Sequence, residues 1–233
     1  MAEEIGTVLR TSAYSPNIKE RADCSAALFT ASGELLVQAE HIPVHLGSMP
    51  ASVAAAIDRY GDVLEPGDQV VLNDPFRGGT HLNDVTLVAP CFVEGELRGW
   101  AANRAHHADL GGGAPGSMPA AAREVFQEGL ILPPTRLTPE VRDVILGNSR
   151  TPEERAGDLD AQVGANVRGV ERLAGFDPTS FGHVVDYGER RMRAALAALP
   201  EGTARFDDDD RLVRPRSRPA RSGAGGRDGH PGR

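Results

Sequence analysis

The segment RGGTHLND places a histidine and an aspartate, His81 and Asp84, three positions apart in a glycine-rich stretch. Further along, RAHHADLGGG contains two adjacent histidines, His106 and His107, and another carboxylate, Asp109. Imidazoles and carboxylates without thiolates are ligands of catalytic Zn, Mn and Fe sites that keep positions open for water or substrate. Such an ion polarises a carbonyl or ionises a bound water. These residue types predict a divalent metal centre, provided that the fold brings them together.

Two predicted strands decide whether these side chains meet. The apolar runs Val85–Val88 and Leu97–Ala102 flank a turn at Glu94–Glu96, which predicts an antiparallel pair. In such a pair the start of one strand lies beside the end of the other, so the H-x-x-D pair would lie near the double histidine. The alternative is that these side chains cap strands and bind loop amides, because H-x-x-D spacing is common by chance.

Other polar residues support weaker hypotheses. His41 and His45, in AEHIPVHLGSMP, could be further ligands, although packed histidines near a helix start are the favoured interpretation. Asn73, Asp74 and Arg77 could orient a substrate or contact a subunit, although a role in forming a turn is favoured.

Several common site types have no support in the sequence. The only cysteines, Cys24 and Cys91, lie in apolar runs typical of small core residues, which excludes a disulfide framework and a thiolate zinc site. No G-x-S-x-G elbow indicates a serine hydrolase. The glycines at 78–79 and 111–113 form neither a Walker loop nor G-x-G-x-x-G, so we expect ATP to be handled elsewhere.

Charge and composition narrow the function classes. The chain has a formal charge of −8, and seven Arg against one acid in residues 211–233 leave residues 1–210 at −14. An acidic body argues against nucleic-acid binding as the main function, although the basic tail could be an RNA-binding arm. No apolar run approaches the roughly 20 residues of a membrane helix, and the N-terminus lacks signal-peptide features, so we expect a cytoplasmic protein without membrane contact.

Apolar periodicity and turn residues predict an α+β fold. Residues 1–118 are expected to form a small antiparallel sheet with flanking helices, 119–206 a mainly helical segment, and 207–233 a disordered acidic-then-basic tail. The predicted helices cover residues 3–11, 51–60 (with Ser48 as N-cap), 139–146, 152–173 and 178–199. The predicted strands cover 25–29, 34–38, 69–72, 85–88 and 97–102.

Several long motifs in order carry a resemblance to a known family. They are RTSAYSPNIKERADCSAALF, AEHIPVHLGSMPASVAAAI, LNDPFRGGTHLNDVTLVAPCF, NRAHHADLGGGAPGSMP, EGLILPP and GDLDAQVGANVRGVERL. Residues 1 to about 206 resemble the N-terminal portion of the B subunit of the hydantoinase and oxoprolinase family, which includes subunits of acetone and acetophenone carboxylases and of caprolactamase.

The resemblance implies a set of metal ligands. The family's ligands fall on Asp23, His81, Asp84 and His106, and Asp23 is indicated by the resemblance alone. One divalent ion, Zn or Mn/Fe, is implied. His107 and Asp109 become candidates for proton transfer, or for orienting the ring of His106.

The resemblance also implies a reaction and a partner. An A subunit uses ATP to activate a small cyclic amide, and the B subunit completes hydrolysis of the C–N bond within a hetero-oligomer. The runner-up is a carboxylase subunit that joins an activated ketone to bicarbonate. Family B subunits begin somewhat earlier and are more than twice as long, so we expect this chain to be a truncated B subunit. A non-catalytic gene remnant is the third interpretation.

Overall fold

The structure is a computed structural model that describes residues 1–40, 42–45, 47–200 and 202. His41 and the predicted tail lie outside the described residues. The helices and strands follow in the order α1 (Ala2–Ser12), α2 (Pro16–Lys19), β1 (Cys24–Thr30), β2 (Leu35–Glu40), α3 (Met49–Tyr60), β3 (Val70–Leu72), β4 (Asp84–Val93), β5 (Glu96–His106), β6 (Thr135–Arg136), α4 (Pro139–Gly147), α5 (Pro152–Ala174) and α6 (Thr179–Ala197).

All six strands form one antiparallel sheet in the order β2-β1-β5-β4-β3-β6. The longest pair, β4 and β5, is connected by a two-residue turn in which Glu94 and Gly95 have φ values of 54° and 85°. Positive φ at both central residues is typical of the type I′ turns that suit the twist of a hairpin. The predicted antiparallel neighbours are therefore confirmed.

The sheet is covered on both faces. Ala26 and Leu28 of β1 pack with Ile5 of α1 and with α5 on one face. The alternate residues of the same strand, Ala27 and Phe29, pack with α3 on the other face. Because both faces are buried, β1 reads as a continuous apolar run instead of an alternating one.

The α+β class is confirmed, and two local predictions are corrected. The segment predicted to be mainly helical also contributes β6, which pairs with β3 at the edge of the sheet. Ser48 does not cap α3, because its backbone is already helical and its hydroxyl accepts a hydrogen bond from Arg104. Within the described ranges, every helix is too short or too polar to cross a bilayer.

The two cysteines provide a test of the core. Cys24 and Cys91 are both fully buried, and burial raises the pKa of the Cys24 thiol to about 12. Because only the thiolate reacts rapidly, we expect no reaction with Ellman's reagent in native protein at neutral pH. Both thiols should react after denaturation in guanidinium chloride. Rapid labelling of either thiol in the native state would contradict this packing.

Candidate metal centre

Strand register gathers the first three residues of the site. Asp84, at the start of β4, lies directly opposite His106, at the end of β5. On the other side of β5 the backbone N–H of His106 donates to the carbonyl of Asp23, just before β1, at 3.0 Å. Side chains two apart on a strand point to the same face, so His106 shares the α3 face with Trp100 and Ala102. The site therefore lies at one end of β1, β5 and β4.

Asp84 is the centre of the cluster. Its buried carboxylate accepts hydrogen bonds from His106 Nδ1 at 2.7 Å, from His81 Nδ1 at 3.0 Å and from the hydroxyl of Thr80. Burial alone would raise the pKa of Asp84, but the hydrogen bonds from His106 and its neighbours outweigh burial and hold that pKa far below its usual range. The bond to Asp84 in turn raises the pKa of His81. Asp84 is therefore an ionised carboxylate at any physiological pH.

Two groups of possible metal ligands share this carboxylate. One contains His81, Asp84 and His106, and the other Asp23, His45 and Asp84; within each group the ligand atoms lie within 4.8 Å of one another. The side chains of His81 and Asp23 are 53% and 28% exposed, whereas Asp84 and His45 are buried. The cluster is therefore buried at Asp84 and His45 and exposed to solvent at His81 and Asp23, so a small molecule could reach it from the exposed side.

A buried arginine holds the glycine-rich loop in place. The guanidinium of Arg104 donates to the carbonyl of Gly78 at 2.7 Å, to Ser52 Oγ of α3 at 2.7 Å and to Thr86 Oγ1 of β4 at 2.8 Å. Gly78 has φ 87°, and a Cβ there would lie 2.2 Å from the backbone N of Ser52. Burial lowers the pKa of Arg104 to about 10, which leaves it charged at neutral pH. The sequence analysis did not identify Arg104. The signal that could have indicated it is its position two residues before His106, which places both side chains on the same face of β5.

The four predicted metal ligands fall into the two groups that share Asp84, and His45 belongs to the group of Asp23. The four are Asp23, His81, Asp84 and His106. His45 is buried, as the packed interpretation requires, and it also faces the cluster. Its Nε2, which has no hydrogen-bond partner among the described residues, and the imidazole–carboxylate set fit a divalent cation.

The two residues predicted to be catalytic lie elsewhere. His107 follows β5 and is buried against α5, where its Nε2 lies 2.8 Å from Gln162 Oε1. Burial, with a contribution from Arg155, lowers the pKa of His107 to about 4. Asp109 accepts from Arg150 Nη1 at 2.9 Å and from loop amides, so the expected contact with His106 is not formed.

The turn residues near the site organise loops. Asn73 donates to the carbonyls of Leu82 and Leu130 and accepts from the N–H of Leu132. Asp74 accepts from the N–H two residues ahead and lies 3.4 Å from the Arg77 side chain. These contacts support the favoured role of these residues in the turn.

An α+β fold with a His/Asp cluster at one end of an antiparallel sheet defines a protein with a candidate divalent-metal centre. The profile of the Hydantoinase B/oxoprolinase family matches residues 1–217. The chain belongs to the hydantoinase B/oxoprolinase family, which confirms the resemblance found in its motifs.

Individual relatives agree with this assignment. An uncharacterized protein of Methanocaldococcus jannaschii is 44% identical over 204 residues, which cover 84% of this chain and 35% of the relative. The 5-oxoprolinase of Saccharomyces cerevisiae is 35% identical over an alignment of 239 residues, gaps included, which covers 91% of this chain and 19% of that protein. The crystal structure of the ATP-dependent caprolactamase from Pseudomonas jessenii matches with a TM-score of 0.78 and 31% identity, and the match covers 89% of this chain and 39% of the caprolactamase chain.

Acetone carboxylase, in a nucleotide-free structure, shares the fold with a TM-score of 0.64 at 24% identity, over 74% of this chain and 24% of that chain. This chain thus spans about a third or less of the length of the two relatives from Methanocaldococcus jannaschii and Saccharomyces cerevisiae.

The position of His107 predicts a structural effect. Replacing it in His107→Ala leaves the Gln162 carbonyl without its donor and opens a cavity, which should lower the free energy of unfolding by about 2 kcal/mol or more. Urea denaturation measures this loss. The matched variant His183→Ala, at an exposed position on α6, should change stability by less than about 0.5 kcal/mol. Wild-type stability in His107→Ala would contradict the structural role.

Proposed function

We propose that this chain is the metal-binding part of an ATP-dependent enzyme that hydrolyses the C–N bond of a small cyclic amide. The observation that carries the proposal is the ionised, buried Asp84 with two imidazoles and a second carboxylate around it. The similarity to a 5-oxoprolinase and to an ATP-dependent caprolactamase supports a cyclic amide as the substrate class.

Asp23, His81, Asp84 and His106 would hold one divalent ion, Zn or Mn/Fe. Bound there, such an ion would polarise the amide carbonyl or ionise a water molecule. The Nδ1 atoms of His81 and His106 face the two oxygens of Asp84, so an ion held between them would take the place of the two Nδ1 protons. Arg104 fixes the loop that carries His81. The half-exposed side of the cluster is where the amide would enter.

ATP binding is assigned to a partner polypeptide. A caprolactamase relative is described as a beta subunit, and the caprolactamase structure is described as ATP-dependent. An A-type partner would transfer the terminal phosphoryl group of ATP to the amide oxygen and release ADP. Water would then add to the carbonyl carbon, the ring nitrogen would leave with a proton, and inorganic phosphate would be released. Since the reaction consumes ATP, we place the hetero-oligomer in the cytoplasm.

We assign His107 and Asp109 to the scaffold. Both have their contacts on the α5 side or within a glycine-rich loop. A general acid or base must reach the proton that it transfers, and neither side chain contacts the cluster at Asp84.

Metal content tests the site directly. Purified wild-type chain should contain about one divalent ion per chain by elemental analysis, whereas Asp84→Asn, which keeps the shape but removes the charge, should contain almost none. At a free-ion concentration 100 times Kd, the metal should stabilise the wild type by about 2.7 kcal/mol. Thermal melts with and without chelator measure this difference.

Two controls make the result specific. Asp186→Asn, at an exposed position on α6, should retain the wild-type metal content and chelator response. His107→Ala should retain the metal despite its lower stability. Equal metal content in wild type and Asp84→Asn would exclude this centre.

Activity tests the reaction class. With an A-type partner, ATP and 5-oxoproline, hydantoin or caprolactam in parallel, we expect ring opening that requires all components and falls at least about 100-fold in Asp84→Asn. Carboxylation of a ketone by bicarbonate in the same mixture would instead support the carboxylase alternative. Metal binding with neither reaction would support a non-catalytic remnant.

A further inference from the structure

His45 occupies an unusual position for a packed histidine. It ends a 3₁₀ turn, Pro43–His45, and its side chain is fully buried beside β1. Its Nδ1 lies 3.0 Å from Ser25 Oγ, but its buried Nε2 has no hydrogen-bond partner within the described part of the chain. Buried polar nitrogens are nearly always paired, so this atom requires an explanation.

Two carboxylates face the unpartnered nitrogen. Nε2 of His45 lies 3.9 Å from Oδ1 of Asp23 and 3.9 Å from Oδ1 of Asp84. Both distances exceed the about 3.2 Å of a hydrogen bond. Two ligand atoms that each lie about 2.1 Å from one ion can be at most about 4.2 Å apart, and both measured distances fall within this limit. The spacing therefore fits a shared cation better than direct pairing.

We propose that His45 is a further ligand of the divalent centre and binds it through Nε2. This inference rests on the proposed metal site and extends it beyond the four residues that the family resemblance indicates. The Ser25 hydroxyl would accept a hydrogen bond from the Nδ1–H group of His45, which leaves the lone pair of Nε2 free for the ion. A second-shell partner of this kind is the usual way in which a ligating imidazole is held in one tautomer and one orientation.

The two residues contributed by the β1 region agree with this arrangement. Asp23 and Ser25 are two positions apart, so they point to the same face of the sheet. One lies beside His45 Nε2 and the other beside its Nδ1. Strand β1 and the residue just before it would thus supply a ligand and also the group that orients another ligand.

A fifth protein ligand affects the choice of metal. Catalytic Zn sites commonly use three protein ligands and an open position. Three imidazoles and two carboxylates favour an ion that accepts five or six ligands, such as Mn or Fe, over four-coordinate Zn.

The first experiment compares Co²⁺ affinities of the purified full chain by competition with a chromogenic chelator. We expect His45→Gln to bind at least about 100-fold more weakly than wild type. Ser25→Ala should lose about 10- to 100-fold, as substitutions of second-shell partners do. His183→Gln, the same substitution at an exposed position, should bind as wild type does.

The second experiment detects coordination itself. In chain labelled with ¹⁵N-histidine and loaded with Co²⁺, we expect three imidazoles to carry large paramagnetic shifts in wild type. One of these signals should be absent in His45→Gln, which identifies it as His45.

The outcomes separate this inference from the function on which it rests. If wild type binds Co²⁺ and His45→Gln binds it equally well but melts at a lower temperature, His45 is only a packed histidine and the inference is overturned. If His45→Gln does not fold, the Co²⁺ affinity of Ser25→Ala and the paramagnetic shifts of the wild-type histidines decide the question. Wild-type affinity in Ser25→Ala, together with only two shifted imidazoles in wild type, overturns the inference. If wild type binds no Co²⁺ at all, the proposed metal centre fails as well.

Discussion

The buried negative charge of Asp84 is the constraint on which the rest of the site depends. An isolated carboxylate in a protein interior is strongly unfavourable unless it is paired and hydrogen-bonded. Here the surroundings supply donors from the strand beside it, from the loop before it and from the hydroxyl of Thr80. Arg104 adds a second buried charge nearby, with its own donors directed to α3 and the glycine-rich loop. The loop, the helix and the strand ends are therefore coupled through electrostatics as well as through apolar packing.

The two faces of strand β5 carry different groups of polar side chains. Arg104 and His106 point to the α3 face, where the cluster lies. Asn103 points to the opposite face, donates to the Gln162 carbonyl and Asn166 Oδ1 of α5, and accepts from Gln162 Nε2. This buried polar network favours one arrangement of helix on sheet, because any slip would leave its amides unpaired. The network that includes His107 thus holds the strand that presents His106.

The sequence predicted what depends on local patterns and missed what depends on distant pairing. The turn between β4 and β5 makes the two strands antiparallel neighbours, so the approach of Asp84 to the double histidine followed from the sequence. A register shift at Cys91/Phe92, which no local pattern indicates, places His106 opposite Asp84. Asp23 reaches the site because β1 pairs with β5, a contact between segments about eighty residues apart that no local pattern indicates, and only the family resemblance pointed to it. His45 lies in a short 3₁₀ turn without periodicity, so the sequence offered it as a possible ligand but favoured a packed histidine. Ser48 has the composition of a helix cap, but the buried guanidinium of Arg104 takes its hydroxyl instead.

All of the candidate ligands lie between Asp23 and His106, on segments that contact one another directly. A Cβ at Gly79 would lie 2.2 Å from the carbonyl oxygen of Asn73, so the loop carrying His81 fits closely against the segment before it as well as against α3. The geometry of the cluster is therefore set by packing among β1, α3, β4 and β5. Under the proposed function, substrate choice would depend instead on what surrounds the exposed side of the cluster. Under the proposed function, ion binding would require only these packed segments, whereas ring opening would also require the surface that faces the substrate.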